Sequence, residues 1–175
     1  MHWLHEPREW RTEGSAIVAK ADPHTDFWRK THDSGMRDSG HFCYQQVTGD
    51  FTAEVKVSGE YTDLYDHAGL MIRLDEATWI KSGIEFFNGA QHASAVLTRD
   101  YSDWSIAPWG NPKAIWLRAV RKGGTIEVYA SSDGAIYDMI RQGFLTAEPA
   151  VSVGIMICAP TGSGFSARFE GFTIT

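Results

Sequence analysis

The segment from Asp66 to Ser105 constrains the fold most, because it predicts three antiparallel strands with two chemically different faces. Within it, Asn88-Gly89 is a preferred dipeptide of the two-residue type I′ hairpin turn, in which both residues have positive φ. The turn predicts one register, in which Phe87 pairs with Ala90, Glu85 with His92, Lys81 with Val96, and Trp79 with Thr98.

A second turn at Glu76-Ala77-Thr78, with Asp75 paired to Trp79, adds the third strand. Side chains alternate between the faces of a sheet, so this pairing sorts the residues into two sets. The predicted core face carries Ile72, Leu74, Ile80, Ser82, Ile84, Ala93, Ala95 and Leu97. The opposite face carries Met71, Arg73, Trp79, Lys81, Gly83, Glu85, His92, Ser94, Val96 and Thr98.

The second face is too rich in charge and aromatic surface to be a plain solvent face. In this register Arg73 lies beside Lys81, with their Cβ atoms about 4.5 to 5.5 Å apart, where like charges destabilise a sheet. An acidic group is therefore expected between them. The sequence leaves open whether it is Glu85 or an anionic ligand.

Composition narrows the class of protein. A chain of 175 residues predicts one domain, and a net charge of -6 without a basic run argues against nucleic acid as a partner. No apolar segment approaches the roughly 20 residues of a membrane span, and the N-terminus lacks a signal-peptide pattern. We therefore expect a cytoplasmic protein with no membrane partner. Cys43 and Cys158 are expected to be buried free thiols, with a single bridge as the alternative.

Strand patterns dominate the rest of the chain and predict an all-β fold. The predicted strands are Thr12 to Ala19, Gly40 to Val47, Asp50 to Tyr61, Ala68 to Asp75, Trp79 to Phe87, Gln91 to Arg99, Ala114 to Lys122, Thr125 to Ser131, Ser152 to Cys158 and Phe165 to Thr175. Tyr137 to Gln142 fits a short helix or a strand. About ten strands without an internal repeat indicate a two-sheet antiparallel β-sandwich or jelly roll, closed by pairing of the last strand with an N-terminal strand.

Several short motifs together resemble one family. They are Trp3-Leu4-His5-Glu6-Pro7, Asp26-Phe27-Trp28, Arg37-Asp38-Ser39-Gly40-His41-Phe42, Gly49-Asp50-Phe51, Tyr65-Asp66-His67-Ala68-Gly69-Leu70, Trp79-Ile80-Lys81-Ser82-Gly83-Ile84-Glu85, Ser102-Asp103-Trp104-Ser105, Trp116-Leu117-Arg118, Asp133-Gly134 and Gly164-Phe165. In this order they resemble the DUF1349 family, also described as regulation-of-enolase-protein-1-like. His67 departs from the pattern, which has Gln after the Asp.

The resemblance implies a concanavalin A-like lectin/glucanase fold whose concave sheet holds saccharides. It does not imply a settled activity. A yeast member is associated with galactose metabolism and enolase regulation, and some bacterial members accompany genes for breakdown of plant cell-wall polysaccharide. Two partners are therefore expected: a carbohydrate or sugar acid, and alternatively a metabolic enzyme.

The second face is the predicted ligand site. Trp79 is expected to stack on a sugar ring, Glu85 and His92 to bond hydroxyl groups, and Arg73 and Lys81 to hold a carboxylate or phosphate. The remaining candidates are Asp103, Trp104, Trp28 and His41. The alternative reading is a Glu85–His92 ion pair with Trp79 packed under a loop.

Binding is predicted rather than catalysis, because Glu85 has no second acid on its own strand face at glycosidase spacing. Gly83 and Phe87 occupy the neighbouring positions. If the protein is an enzyme, the predicted groups are Glu85, His92 and Asp103, acting in a weak glycoside hydrolase or lyase. No His or Cys spacing indicates a metal site, and no motif indicates a cofactor.

Overall fold

The computed structural model describes residues 1–175, which form sixteen β-strands and no helix. The strands are β1 (His2–Leu4), β2 (Glu9–Glu13), β3 (Ala16–Lys20), β4 (Phe27–Arg29), β5 (Met36–Asp38), β6 (His41–Thr48), β7 (Phe51–Gly59), β8 (His67–Asp75), β9 (Thr78–Phe87), β10 (Ala90–Arg99), β11 (Tyr101–Pro108), β12 (Ile115–Lys122), β13 (Thr125–Ser131), β14 (Asp138–Phe144), β15 (Ala150–Cys158) and β16 (Ser166–Ile174). There is accordingly no helix of the length and apolarity that crossing a membrane requires.

Two seven-stranded antiparallel sheets make up the molecule. The front sheet has the order β1-β6-β15-β8-β9-β10-β11, and the back sheet has the order β14-β13-β12-β7-β16-β3-β2. A cluster of 28 buried residues, drawn from both sheets, fills the space between them. This confirms the predicted all-β sandwich, in which each sheet buries one face against the other.

The predicted strands match the observed ones closely from Gly40 onward, where no strand end differs by more than two residues. Thr12 to Ala19 was expected to be one strand, but it spans the β2–β3 hairpin, whose turn contains Gly14 at φ 63°. Positive φ suits glycine, and it reverses the chain there. The helix-or-strand segment from Tyr137 to Gln142 lies mostly in β14. As predicted, the last strand pairs with an N-terminal strand, β3.

The β9–β10 hairpin has the predicted register throughout. Asn88 and Gly89 have φ values of 51° and 77°, as a type I′ turn requires. The β8–β9 register differs from the prediction, because Asp75 pairs with Thr78 and Arg73 pairs with Trp79 across a bulge. The Asp75 carboxylate accepts a hydrogen bond from the backbone N–H of Ala77, at 2.8 Å, and this tightens the turn.

The two predicted faces are nevertheless present in the structure. At the charged positions the observed register differs from the predicted one by an even number of residues, so each side chain stays on its predicted face. Ile72, Ile80, Ile84 and Leu97 belong to the core between the sheets. Met71, Trp79 and Val96 point the other way, into a separate cluster on the outer face of the front sheet. A third, two-stranded sheet, the β4–β5 hairpin, contributes to that outer cluster.

Candidate functional site

The β4–β5 hairpin lies against the outer face of the front sheet. Phe27 of β4 is fully buried there, and its ring centroid is 6.1 Å from that of Trp79. The outer cluster consists of Phe27, Phe42, Met71, Trp79, Val96, Met156 and Cys158. Burial of this aromatic and aliphatic surface fastens a hairpin that is too short to be stable alone.

Two salt bridges fix the ends of the hairpin. Asp38 accepts two hydrogen bonds from Arg73, at 2.6 and 2.9 Å, and Asp26 accepts one from Lys81 Nζ at 3.0 Å. Arg73 and Lys81 therefore have separate acidic partners. The predicted contact between the two cations is wrong, because the bulge places Met71, and not Arg73, opposite Lys81. The compensating charge comes from the hairpin rather than from Glu85 or a ligand.

Beside the hairpin, the outer face opens into a cavity of about 550 Å³. Its volume lies within the range of small-ligand pockets. The lining side chains come from the hairpin, from β9, β10 and β11, and from two loops, and they are Asp26, Trp28, His32, Asp33, Arg37, Tyr65, Lys81, Glu85, Phe87, Val96, Trp104, Pro160 and Thr161.

Glu85 is the buried acid of the cavity. Its Oε2 atom accepts hydrogen bonds from Ser94 Oγ at 2.5 Å and from Trp104 Nε1 at 2.8 Å. Burial raises the pKa of Glu85, although the charge of Lys81 and these two donors act in the opposite direction. Glu85 is thus more easily protonated than an ordinary glutamate.

Lys81 is the buried cation of the cavity, and only 3% of its side chain is exposed. Its Nζ atom lies 3.0 Å from Asp26 Oδ1 and 4.0 Å from the thiol of Cys158. Burial alone would lower the pKa of Lys81, but the nearby carboxylate of Asp26, with Cys158 and Glu85, raises it. Lys81 therefore stays an ammonium ion and forms a salt bridge with Asp26.

Aromatic rings form one wall of the cavity. The rings of Phe87 and Trp104 meet edge to face at 5.3 Å, and Tyr65 lies 5.9 Å from Phe87 and 6.1 Å from Trp104. Such a wall offers ring faces and edges to an apolar or amphipathic ligand. The polar side chains Asp26, Lys81 and Glu85 and this aromatic wall together suit a molecule that carries hydroxyl groups on a compact ring.

The structure brings four of the predicted site residues into the cavity: Trp28, Lys81, Glu85 and Trp104. Two others, Arg73 and Trp79, lie on the predicted face but beneath the hairpin, and Trp79 is only 1% exposed. Trp79 has no surface left for stacking on a sugar. Trp79 is packed under the β4–β5 hairpin, where the alternative reading had placed it under a loop.

The remaining predicted residues do not line the cavity. His92 is opposite Glu85 as expected, but its Nδ1 contacts the carbonyl of Ala90 at 3.1 Å, so the ion pair of the alternative reading is absent. His41 is buried, with its ring nitrogens bonded to the His5 carbonyl and the Asp22 N–H. Asp103 forms a salt bridge with Arg141 at 2.9 Å, because it points to the side of the sheet opposite Trp104.

Sequence reasoning missed three functional candidates near Glu85. Ser94 had been placed on the correct face but given no role. Phe87 has the same parity as Glu85, so strand alternation alone could have identified it. Asp26 had no such signal, because it reaches the cavity from a loop 55 residues away from Lys81 in sequence.

His67 lies next to Glu85 on the neighbouring strand, with Nδ1 4.0 Å from Oε2 of Glu85. It is fully buried, and neither ring nitrogen has a hydrogen-bond partner. Burial, with the charge of Lys81, lowers the pKa of His67 well below its usual value. The departure from the family pattern thus places a neutral imidazole behind the acid of the cavity.

The charges of the cavity wall are largely neutralised within the protein. Lys81 pairs with Asp26 and Arg37 pairs with Asp33, so both cations already have acidic partners. No group of three His, Cys, Asp or Glu side chains is arranged to hold a metal ion. The cavity can therefore offer hydrogen-bond donors and acceptors, but no free cation for a strongly anionic ligand.

Comparison with known proteins gives a consistent relationship over the whole chain. The profile of a family described as "Protein of unknown function (DUF1349)" matches residues 3–175. "Regulation of enolase protein 1" from Saccharomyces cerevisiae is 37% identical over 174 residues, which cover 99% of this chain and 88% of the yeast protein.

Solved structures extend this likeness. A crystal structure of a functionally unknown protein from Saccharomyces cerevisiae has a TM-score of 0.96 at 37% identity, covering 99% of this chain and 95% of that one. The GH43 protein BlXynB from Bacillus licheniformis gives 0.78 at 14% identity, covering 97% of this chain and 35% of that one. The carbohydrate-binding module CBM66 from Bacillus subtilis gives 0.65 at 13% identity, covering 98% and 94%. At these last two identities the likeness concerns the fold alone.

Proposed function

Because the chain belongs to the DUF1349 family and has a fold like that of a carbohydrate-binding module, we propose that it binds a neutral carbohydrate in the cavity beside the β4–β5 hairpin. The observation that carries this proposal is the combination of Asp26, Lys81 and Glu85 on the cavity wall with the aromatic wall of Phe87 and Trp104. The hydroxyl groups of the sugar bond to the three charged side chains, and its C–H face packs on the two aromatic rings.

The ligand is a single sugar or the end of a short chain, not the middle of a polysaccharide. The hairpin occupies the part of the outer face over Trp79 and closes the groove on that side. The neutral character follows from the ion pairs of Lys81 and Arg37, which leave no cation for a sugar acid.

Titration calorimetry with galactose, xylose, xylobiose and galacturonic acid tests this proposal. We expect the neutral sugars to bind and the uronic acid to bind at least about tenfold more weakly, a difference of about 1.4 kcal/mol. Trp104→Ala should weaken neutral-sugar binding by at least about tenfold, because it removes part of the aromatic wall and a donor to Glu85. Trp116→Ala, on the back sheet, is the matched control and should bind as the wild type does.

Tighter binding of galacturonic acid would reject the neutral ligand. No heat of binding with any of the four sugars, from a folded protein, would reject carbohydrate binding in this cavity. Equal losses of sugar binding in Trp104→Ala and Trp116→Ala would show that the binding site lies outside this cavity.

A second function, binding to a metabolic enzyme, is supported by the name of the yeast relative. It predicts that purified enolase is retained by the immobilised protein in the absence of sugar. Retention that persists in Trp104→Ala would assign the two functions to separate surfaces. No retention above a bovine serum albumin control would count against this function.

A further inference from the structure

Two carboxyl groups of the cavity, proposed above to bond hydroxyl groups, come from different parts of the fold. Asp26 comes from the loop before β4, and Glu85 comes from the middle of the front sheet. The acid that Glu85 lacks on its own strand is thus supplied by a distant part of the chain. Paired carboxyl groups in different environments are a common arrangement for acid–base chemistry on sugars.

In each carboxyl group one oxygen atom accepts hydrogen bonds from the protein, and the other accepts none. Asp26 bonds Lys81 through Oδ1, and Glu85 accepts from Ser94 and Trp104 through Oε2. Asp26 Oδ2 and Glu85 Oε1 have no partner in the protein, and neither is among the sealed, unpartnered buried atoms. Both free oxygens are therefore available to a molecule in the cavity.

The two groups have different surroundings. Asp26 is bound to the ammonium group of Lys81 through Oδ1, which leaves Oδ2 as the proton acceptor. Burial favours the neutral form of Glu85, and its Oε2 atom already accepts two hydrogen bonds. A proton on Glu85 is therefore carried by Oε1, from which it can be donated into the cavity.

We infer that the cavity interconverts the α and β anomers of a reducing aldose, with Asp26 as general base and Glu85 as general acid. This inference rests on the proposed binding of a neutral sugar in the same cavity. Only one base and one acid are required, because the anomeric hydroxyl group and the ring oxygen are both attached to C1 of the sugar.

The reaction is balanced without a co-reactant. Asp26 Oδ2 takes the proton of the anomeric hydroxyl group, whose O–H electron pair becomes the second bond of the aldehyde. The bond between C1 and the ring oxygen breaks, and the ring oxygen takes the proton of Glu85. After rotation about C1–C2, the ring oxygen attacks the other face of the aldehyde and returns its proton to Glu85. Asp26 then returns its proton to the former aldehyde oxygen, and the opposite anomer results.

Lys81 is a positioning residue in this scheme, since it holds the carboxyl group of Asp26 in place without touching the reacting atoms. Hydrolysis of a glycoside would require in addition a water molecule and an exit for the leaving group. Anomer exchange needs neither, and it suits a cavity that the hairpin closes on one side.

The test is the rate of anomer exchange of galactose, xylose and glucose, measured by NMR magnetisation transfer with and without the protein. The wild type should accelerate the exchange of at least one of these sugars. Asp26→Asn and Glu85→Gln should each lose about 100-fold or more of the protein-dependent rate, which is the size of a general acid–base contribution. Glu54→Gln, which changes a carboxyl group on the back sheet that is paired with Arg118, is the control and should keep the full rate.

Binding is measured separately with the corresponding methyl glycosides, which have no anomeric hydroxyl group and cannot exchange. Wild type that binds methyl glycosides but leaves the exchange rate at its buffer value overturns the catalytic inference and leaves the binding proposal intact. Absence of both binding and acceleration overturns both. Acceleration that survives in folded Asp26→Asn and Glu85→Gln overturns the assigned roles, and so does release of methanol from the glycosides without anomer exchange of the free sugars.

Discussion

His67 is a residue of the site whose buried side chain makes no hydrogen bond. A buried imidazole with two unpartnered nitrogens costs free energy, because it has lost its bonds to water without replacement. It also adds no positive charge beside Lys81, since its lowered pKa keeps it neutral. The glutamine expected at this position is neutral at every pH, so the difference between the two residues is greatest in mild acid.

Replacing His67 with Gln should flatten the pH dependence of stability between about pH 6.5 and 5. The pKa of His67 is lower in the folded protein than in the unfolded chain, where it is about 6.5. In this window the unfolded chain binds a proton that the folded protein does not, so acid destabilises the wild type by up to about 1.4 kcal/mol per pH unit. Urea unfolding at pH 7.5, 6.5 and 5.5 measures the two slopes.

The slope of His67→Gln should be shallower but not zero, because burial lowers the pKa of His41 as well. Glu85 acts in the opposite direction, since its raised pKa makes a rise in pH destabilising, but it is present in both proteins. Identical slopes in wild type and variant would show that His67 is protonated in the folded protein.

At the scale of the element, the β4–β5 hairpin decides the shape of the site. It has only three residues in each strand. It is held to the front sheet by the burial of Phe27, by the salt bridges of Asp26 and Asp38, and by those of Arg29 and Lys30 with Asp100. Strands of this length show no alternation that a sequence pattern could reveal. Asp26 and Asp38 were therefore visible as motif residues, but their contacts with Lys81 and Arg73 were not.

Asp38→Asn should loosen the hairpin without unfolding the sandwich. The variant leaves the guanidinium of Arg73, which is 11% exposed, without its charged partner, at a cost of about 1 to 3 kcal/mol. Hydrogen exchange followed by mass spectrometry should show faster exchange in residues 27–38 and unchanged exchange in β8 and β9. Asp33→Asn is the matched control, because Asp33 pairs with Arg37 inside the hairpin and does not tie it to the sheet.

Equal protection of the hairpin in Asp38→Asn and wild type would mean that Phe27 and the remaining salt bridges suffice to hold it.

The parts of the fold that could be predicted from the sequence are those that a local sequence signal determines. The Asn88-Gly89 turn fixes its own register, so the β9–β10 pairing could be predicted residue by residue. The β8–β9 turn has no such signature, and its bulge moved Arg73 away from Lys81. β11 was also not among the predicted strands; it begins directly after Asp100, whose φ of 65° reverses the chain after β10.

For the molecule as a whole, the front sheet separates two apolar clusters. Cys43 belongs to the core between the sheets, and Cys158 belongs to the outer cluster, so the two thiols lie on opposite sides of one sheet. Both are free and buried, as expected, and the alternative of a disulfide between them is wrong. The family resemblance and the strand count predicted the sandwich, but they gave no indication of the second cluster.

Neither thiol should react with Ellman's reagent in the native protein at pH 8. Burial raises the pKa of Cys43 to about 11 and that of Cys158 to about 12, so the reactive thiolate is scarce and inaccessible. Both thiols should react at once in 8 M urea, and in intermediate urea the reaction should follow global unfolding. Rapid reaction of one thiol in native buffer would show that its cluster opens independently.

The ties between the hairpin and the front sheet join segments that are far apart in the chain, 55 residues for Asp26 and Lys81 and 35 for Asp38 and Arg73. The outer cluster that receives Phe27 takes residues from β8, β9, β10 and β15, so the hairpin can pack on its full surface only after these strands have paired. A partly folded sandwich can therefore have its sheets in register and still lack a cavity. The ability to bind a ligand then appears only when folding is complete. A sugar that binds only the complete cavity would slow unfolding and leave the folding rate unchanged.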